Sequence, residues 1–338
     1  MLPPDAARSP VGGRPASPTG LEAWAKCPFS YFMKTVLRVA ETETPEDTLV
    51  ISAADRGTLM HRALQLFFAG GGLFEAATRR ATPREPWTES ERARMRAIGE
   101  ACCAEAERAG QTGKLLLWGL EKRRILRELD RFLDAEEAHR REAPEYAFEA
   151  AELAFGSQGN APLLVTLDDG REVTFRGSID RVEQSLDGGA MAVVDYKTGN
   201  AESYKNLALN PVKDGTLLQL PVYGLAAMQA FGVERVDANY WFITEKEDFK
   251  RIGYQVSREN TGAFREALMT IVDGIGEGVF PANPGKPDEF RRSFENCVWC
   301  AYDSVCGRDR ERQWKRKRME DAIAPYRLLS RQEEDDDE

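Results

Sequence analysis

Gly177-Ser178-Ile179-Asp180-Arg181 and, one turn later, Val193-Val194-Asp195-Tyr196-Lys197-Thr198-Gly199 form the stretch whose reading decides the fold. Both halves alternate apolar and polar residues or run apolar, as short strands do. Leu186-Asp187-Gly188-Gly189 between them reads as a hairpin turn. Asp180 falls in the middle or at the end of the first strand, and Asp195 at the end of the second. Side chains alternate along a strand, so Asp195 and Lys197 share one face and Tyr196 takes the other. The hairpin brings the two carboxylates side by side. At about 4 Å they repel by roughly 4 kcal/mol at an effective dielectric near 20. A divalent cation offsets that cost, and hard oxygen ligands with room for water suit Mg²⁺ or Mn²⁺. Lys197 adds a charge that orients an attacking water and stabilises a phosphoryl group. Asp-x-Lys alone is also an ordinary solvated strand end, so its neighbours decide.

Strand patterns occur at 146–155, 163–167, 172–183, 190–196, 238–244 and 251–256. Helical periodicity marks 53–69, 74–80, 88–109, 112–140, 220–231 and 260–276. Leu21, Trp24, Phe29, Phe32, Met33 and Val36 predict a helix interrupted at Cys27-Pro28. Residues 1–19, rich in Pro, Gly, Ser and Ala, read as a disordered lead-in. The order of elements predicts a mixed α/β fold.

With 338 residues, the chain is long enough for one large domain or two ordinary ones. Its 42% hydrophobic and 30% charged residues fit a globular protein. No apolar run approaches the roughly 18 residues of a membrane span. Met1-Leu2-Pro3-Pro4-Asp5 lacks the basic and apolar regions of a secretory signal, so a cytoplasmic protein is expected. The net charge of −10 is a poor global signature for a nucleic-acid binder. Yet residues 307–318 carry seven basic and two acidic side chains, and a local basic patch is compatible with DNA contact. The acidic tail spans residues 328–338 and is expected to be disordered from Glu333. No G-x-x-x-x-G-K-S/T occurs, so no nucleotide-driven motor is expected in this sequence.

Of the six cysteines, Cys297, Cys300 and Cys306 are closely spaced and Cys27 lies far upstream. In a reducing compartment such thiols are metal ligands or buried groups rather than disulfides. Four thiolates suit either zinc or an iron–sulfur cluster, and spacing alone does not separate the two. Cys102 and Cys103, adjacent on a helix, read as packing residues. Gln219 and Tyr223 are four apart and so share a helix face. His61 is one of two histidines. The other, His139, sits in a run of charges and reads as solvated.

Together these motifs resemble the PD-(D/E)XK nuclease superfamily, in particular its RecB/AddB-like branch. The family's first acid falls on Asp180, with Ile179 where the family has proline. Its second acid and its lysine fall on Asp195 and Lys197. The Gln-x-x-x-Tyr motif of the branch falls on Gln219 and Tyr223, implying that they contact DNA or steady the lysine. A histidine on an early helix falls on His61, implying a metal site of His61, Asp180 and Asp195. Glu152 matches a weaker upstream acid; it supports the site or is a plain strand glutamate. Ala25-Lys26-Cys27-Pro28-Phe29 matches the branch's Cys-Pro segment, and the four cysteines Cys27, Cys297, Cys300 and Cys306 then imply a [4Fe–4S] cluster. Treated as a covalent link closing about 270 residues, the cluster would stabilise by roughly 5–6 kcal/mol as an upper guide.

The resemblance covers roughly residues 21–312. It implies a restriction-endonuclease-like domain over 21–320, with a catalytic core at 146–256, a cluster segment at 297–306 and a helical insertion at 73–145. The implied activity is a Mg²⁺- or Mn²⁺-dependent DNA exonuclease. Its substrates would be single strands or ends, in recombinational repair and beside a helicase. Alternatives are a CRISPR-adaptation-type nuclease, a catalytically silent DNA-binding scaffold with a cluster, and a four-cysteine zinc protein. The basic stretch 308–318, with Trp314, either touches phosphates and an unpaired base or is a solvated helix.

Overall fold

The computed structural model describes residue 10 and residues 13–40, 49–69 and 85–330. The expected helix at 74–80, nearly all of the acidic tail and most of the lead-in lie outside these residues. The described part of the lead-in is built into the fold. Ala16 pairs with the strand at Phe175: its N–H donates to the Thr174 carbonyl at 2.8 Å, and its carbonyl accepts from Arg176 at 2.8 Å. Ser17 then caps helix α1 (Pro18–Lys26), accepting from the Gly20 N–H, with Pro18 in the first turn. Cys27, with φ −153°, breaks that helix before α2 (Pro28–Tyr31). The break follows the Cys-Pro step, since a residue before proline avoids helical geometry.

Helices α3 (Ala53–Ala69), α4 (Glu89–Arg108) and α5 (Leu115–Glu142) follow. A capping box of Thr88 and Glu91 starts α4. Strands β1 (Tyr146–Phe155), β2 (Leu163–Thr166), β3 (Glu172–Phe175), β4 (Gly177–Ser185) and β5 (Met191–Lys197) come next. Then come α6 (Gln219–Phe231), β6 (Arg235–Phe242), β7 (Arg251–Ser257) and α7 (Gly262–Gly276). A small hairpin of β8 (Pro287–Asp288) and β9 (Ser293–Phe294) leads to α8 (Arg310–Lys317) and α9 (Ala324–Leu329).

Five strands form one mixed sheet in the order β1-β4-β5-β6-β7. Only the β5–β6 pair is parallel. The crossover between them is α6, as a parallel pair requires. The expected single strand at 172–183 is two strands. Arg176 gives its N–H to Ala16, while β3 turns away to pair with β2 in a separate ribbon.

Two cores flank the sheet. On one face Val193, Tyr240 and Phe242 pack with Trp24 of α1, Leu220 and Val222 of α6, and Leu268 and Ile271 of α7. On the other, Val194, Tyr196 and Trp241 pack with Leu64 and Phe67 of α3, Ile98 of α4, and Ile125 and Phe132 of α5. Fully burying one such side chain stabilises by about 1.5–3 kcal/mol. Helices α4 and α5, expected as an insertion, therefore share with α3 the core on that sheet face. Cys102 and Cys103 are buried in this second core, as packing residues should be. No described helix is long and apolar enough to cross a membrane.

His139 is only partly solvated, its side chain 18% exposed. It lies on the inward side of the last turn of α5, edge-on to Trp241 at 5.4 Å and 3.4 Å from the Glu183 carboxylate. It also contacts Arg251. The run of charges around it is one wall of a buried ion network rather than a wet face. At its centre Arg181, 1% exposed, bonds Glu183 at 2.7 Å and Glu136 at 2.9 Å. Its guanidinium lies against the Phe68 ring at 4.6 Å.

Candidate active site and four-cysteine site

The site forms where β4 and β5 separate beyond their last pairs. Arg181 still opposes Val194. One residue further, the Asp180 carboxylate takes the place of the ladder and accepts the Tyr196 N–H at 2.7 Å. That bond fixes Asp180 at the mouth of the hairpin. Alternation then directs Asp195 and Lys197 toward α6, while Tyr196 enters the opposite core, 5.9 Å from the His61 ring.

Two linked groups result. In the first, His61 Nδ1 lies 3.4 Å from Asp180 Oδ2. Glu152 completes a set whose ligand atoms all lie within 4.8 Å of one another. Glu152 has φ +52°, and its carboxylate accepts from the Ser178 hydroxyl at 2.7 Å. Left-handed backbone is uncommon for glutamate and marks a residue held by its surroundings.

In the second group, Lys197 Nζ lies 2.5 Å from Asp195 Oδ2 and donates to Gln219 Oε1 at 2.8 Å. Gln219 Nε2 donates to Asp195 Oδ1 at 2.9 Å and reaches Tyr223 Oη at 3.3 Å. The side-chain amide of Gln219 thus ties the lysine to the acid. Four-residue spacing places Tyr223 one turn further along α6.

The electrostatics follow from crowding and burial. Burial lifts the Asp195 carboxyl to about 6 against the pull of Lys197, and Asp180 adds to the rise. Burial works against the Lys197 charge, but the Asp195 carboxylate outweighs it and holds the ammonium above the ordinary lysine value. At His61 the Asp180 carboxylate likewise outweighs burial and raises the imidazole. Burial raises Glu152 as well. Three acids and a histidine converge here with one lysine, and a cation held by oxygen and imidazole ligands fits such a donor set. The expected ligands His61, Asp180 and Asp195 are brought to one place. Of these, Asp195 is engaged by Lys197 and Gln219, and the compact trio is His61, Asp180 and Glu152.

Glu22 on α1 escaped the sequence reading. Its carboxylate accepts the N–H groups of Leu218 at 2.6 Å and Gln219 at 3.1 Å. Burial pushes it up to about 7, while Lys197 pulls the other way. A lone acid beside Leu21 and Trp24 was the available signal.

The four-cysteine site lies beyond the other end of α1. Cys27, Cys297, Cys300 and Cys306 are free thiols lining one cavity with Phe29, Asn283 and Arg310. Tight turns join the last three: Cys300 N–H donates to the Cys297 carbonyl at 3.1 Å, and Cys306 N–H to the Asp303 carbonyl at 3.3 Å. Backbone N–H groups of Ser30, Asn283 and Phe29 face the Cys27 sulfur. Burial, with the nearby sulfurs, pushes the Cys306 thiol up to about 11. Four sulfurs around one cavity, with N–H donors facing that of Cys27, are a donor set that a shared metal centre would fit.

The mixed sheet and the acid–lysine hairpin have the form of one nuclease superfamily, and the family comparison agrees. Residues 15–307 match the PD-(D/E)XK nuclease superfamily, to which the chain belongs. More particularly, the sequence resembles bacterial chains named as one of the subunits of an ATP-dependent helicase/deoxyribonuclease. It is 29% identical to that of Pelotomaculum thermopropionicum over 232 residues, 65% of this chain and 18% of the relative. It is 29% identical to that of Moorella thermoacetica over 213 residues, 62% of this chain and 17% of the relative. For Desulforudis audaxviator the figures are 31% over 211 residues, 60% and 16%. The chain thus spans under a fifth of the length of these relatives.

Proposed function

We propose that this protein is a Mg²⁺- or Mn²⁺-dependent deoxyribonuclease acting as an exonuclease on single strands or DNA ends. The observation that carries the reading is the Lys197–Gln219–Asp195 chain standing beside His61, Glu152 and Asp180. His61, Asp180 and Asp195, with Glu152 supporting, would hold the cation. When bound, the cation neutralises charge on the scissile phosphate.

The residues of the chain do the rest. Lys197 stays protonated beside Asp195, so its ammonium orients the attacking water and stabilises charge gathering on the phosphoryl oxygens. Gln219 fixes the direction of that ammonium, and a lysine stem with several rotors needs such a tether. Tyr223 holds the amide of Gln219 from behind. The Tyr196 N–H fixes Asp180 through Oδ2, the oxygen that also faces His61, and so would hold this carboxylate in place for the cation.

Cys27, Cys297, Cys300 and Cys306 would carry a [4Fe–4S] cluster in a structural role. Cys27 lies about 270 residues upstream of the other three, a spacing unlike that of compact zinc ribbons. The names of the relatives support a role beside a helicase; recombinational repair is the setting proposed for it.

The test is cleavage of end-labelled single-stranded DNA with Mn²⁺. Lys197→Ala should fall at least 100-fold while still binding DNA. A normal rate in that variant refutes the mechanism. Iron and acid-labile sulfide near four per chain support the cluster, and stoichiometric zinc refutes it.

A further inference from the structure

Helix α6 begins without a cap of its own. Leu218 stands at its N-cap position, and no side chain of that segment bonds the first turn. The first N–H groups of a helix need acceptors, and the positive end of its dipole favours a carboxylate. Here the acceptor comes from 196 residues away: one oxygen of Glu22 takes the N–H groups of both Leu218 and Gln219. Gln219 is the residue whose side chain joins Lys197 to Asp195. Lys197, Asp195, Tyr204, Tyr223 and Tyr240 all face the Glu22 carboxylate closely enough to interact with it.

Helix α1 is itself anchored at its other end. Trp24 donates to the Val279 carbonyl at 3.0 Å. Tyr326 donates to the Ala25 carbonyl at 3.1 Å, and Asn296 to the Lys26 carbonyl at 3.0 Å. Cys27 is the next residue, and Asn296 directly precedes Cys297. From Glu22 to Lys26 the helix rises about 6 Å, and Cys27 follows directly. A short rigid strut therefore runs from the four-cysteine cavity to the cap of α6.

We infer that Glu22 is a positioning residue. Its carboxylate caps α6, sets Gln219 against Lys197 and Asp195, and so links the four-cysteine site mechanically to the lysine. The inference rests on the proposed role of Lys197. It predicts that damage at the cysteines reaches the hairpin through α1.

The experiment is residue-resolved amide hydrogen exchange on the full chain, with kcat and KM for single-stranded DNA measured in parallel. In Glu22→Ala, exchange at Leu218 and Gln219 should accelerate at least tenfold while β5 and β6 stay protected. Its kcat should fall about tenfold with KM within twofold of wild type. Glu22→Gln keeps an acceptor oxygen and should restore most of the protection and most of kcat. Should Glu22→Ala not fold, Glu22→Asp, whose shorter arm withdraws from both amides, is expected to show the same pattern. Cys306→Ser should accelerate the same two amides. Unchanged exchange at Leu218 and Gln219 in the Glu22 variants overturns the inference, as does accelerated exchange with unchanged kcat. Unchanged exchange in Cys306→Ser overturns the link to the cysteines. A wild-type chain that cleaves nothing counts against the nuclease reading instead, and the exchange rates still decide the role of Glu22.

Discussion

Replacing Arg181 with Met tests the ion network that joins the sheet to helix α5. The guanidinium is almost wholly buried, holds Glu183 at 2.7 Å and Glu136 at 2.9 Å, and lies against Phe68 at 4.6 Å. Met keeps the apolar stem but strands two buried carboxylates. Glu136 retains Arg140 at 2.7 Å and the Trp87 indole at 2.8 Å. Among the described residues, Glu183 retains the more distant His139, at 3.4 Å, and Arg251, at 3.7 Å. Glu183 is therefore the group that suffers. Removing one partner of a buried pair costs about 3–5 kcal/mol, mostly for the charge left behind. Adding Glu183→Leu removes that charge, so the double variant should be more stable than the sum of the singles by about 1–3 kcal/mol. The assay is urea unfolding at pH 7.5 followed by circular dichroism, run as a double-mutant cycle. A cost below about 1 kcal/mol for Arg181→Met, or additivity within about 0.5 kcal/mol, refutes the reasoning.

Acid titration should expose the same network. Burial opposes the Glu183 charge, but Arg181 and Arg251 outweigh it and hold the carboxyl below its ordinary value of 4.5. Its contribution is present above that pH and is lost as pH falls below it, so Glu183→Gln should flatten the stability profile on the acid side. Gly274→Ala would place a methyl 2.1 Å from Trp24 Cζ2, within a ring fixed on the Val279 carbonyl. It should cost about 1–3 kcal/mol in thermal unfolding. Gly262→Ala, with nothing within 4 Å, is the near-neutral control. Gln219→Ala removes the amide that bridges Lys197 and Asp195, leaves only their direct ion pair to direct the ammonium, and should lower kcat for DNA cleavage about tenfold, with KM within twofold. Cys306→Ser should abolish absorbance near 400 nm in anaerobically purified protein and lower the melting temperature, as loss of a long-range staple requires.

The core of the site was legible because strand periodicity is short and strict. Alternation put Asp195 and Lys197 on one face, and four-residue spacing put Gln219 beside Tyr223. The boundaries of β1 were readable for the same reason. Three features were not. The split of 172–183 depends on Ala16 arriving from a distant segment to bond Arg176. The partial burial of His139 depends on which side of α5 meets Trp241, and a run of charges hides that periodicity. The cap of α6 by Glu22 joins residues 196 apart, and no local rule sees it. Glu152 was readable as a strand residue, but its left-handed backbone, which accompanies its place beside Asp180, has no sequence signature.

The central claim is metal-dependent hydrolysis at the β4–β5 hairpin. Its most direct measurement is incubation of anaerobically purified wild type and Asp195→Ala with end-labelled single-stranded DNA, with Mn²⁺ and with EDTA. Wild type should cleave with Mn²⁺ and not with EDTA, and Asp195→Ala should not cleave at all despite an unchanged circular dichroism spectrum. Equal cleavage by the variant, or cleavage that persists in EDTA, would contradict the claim.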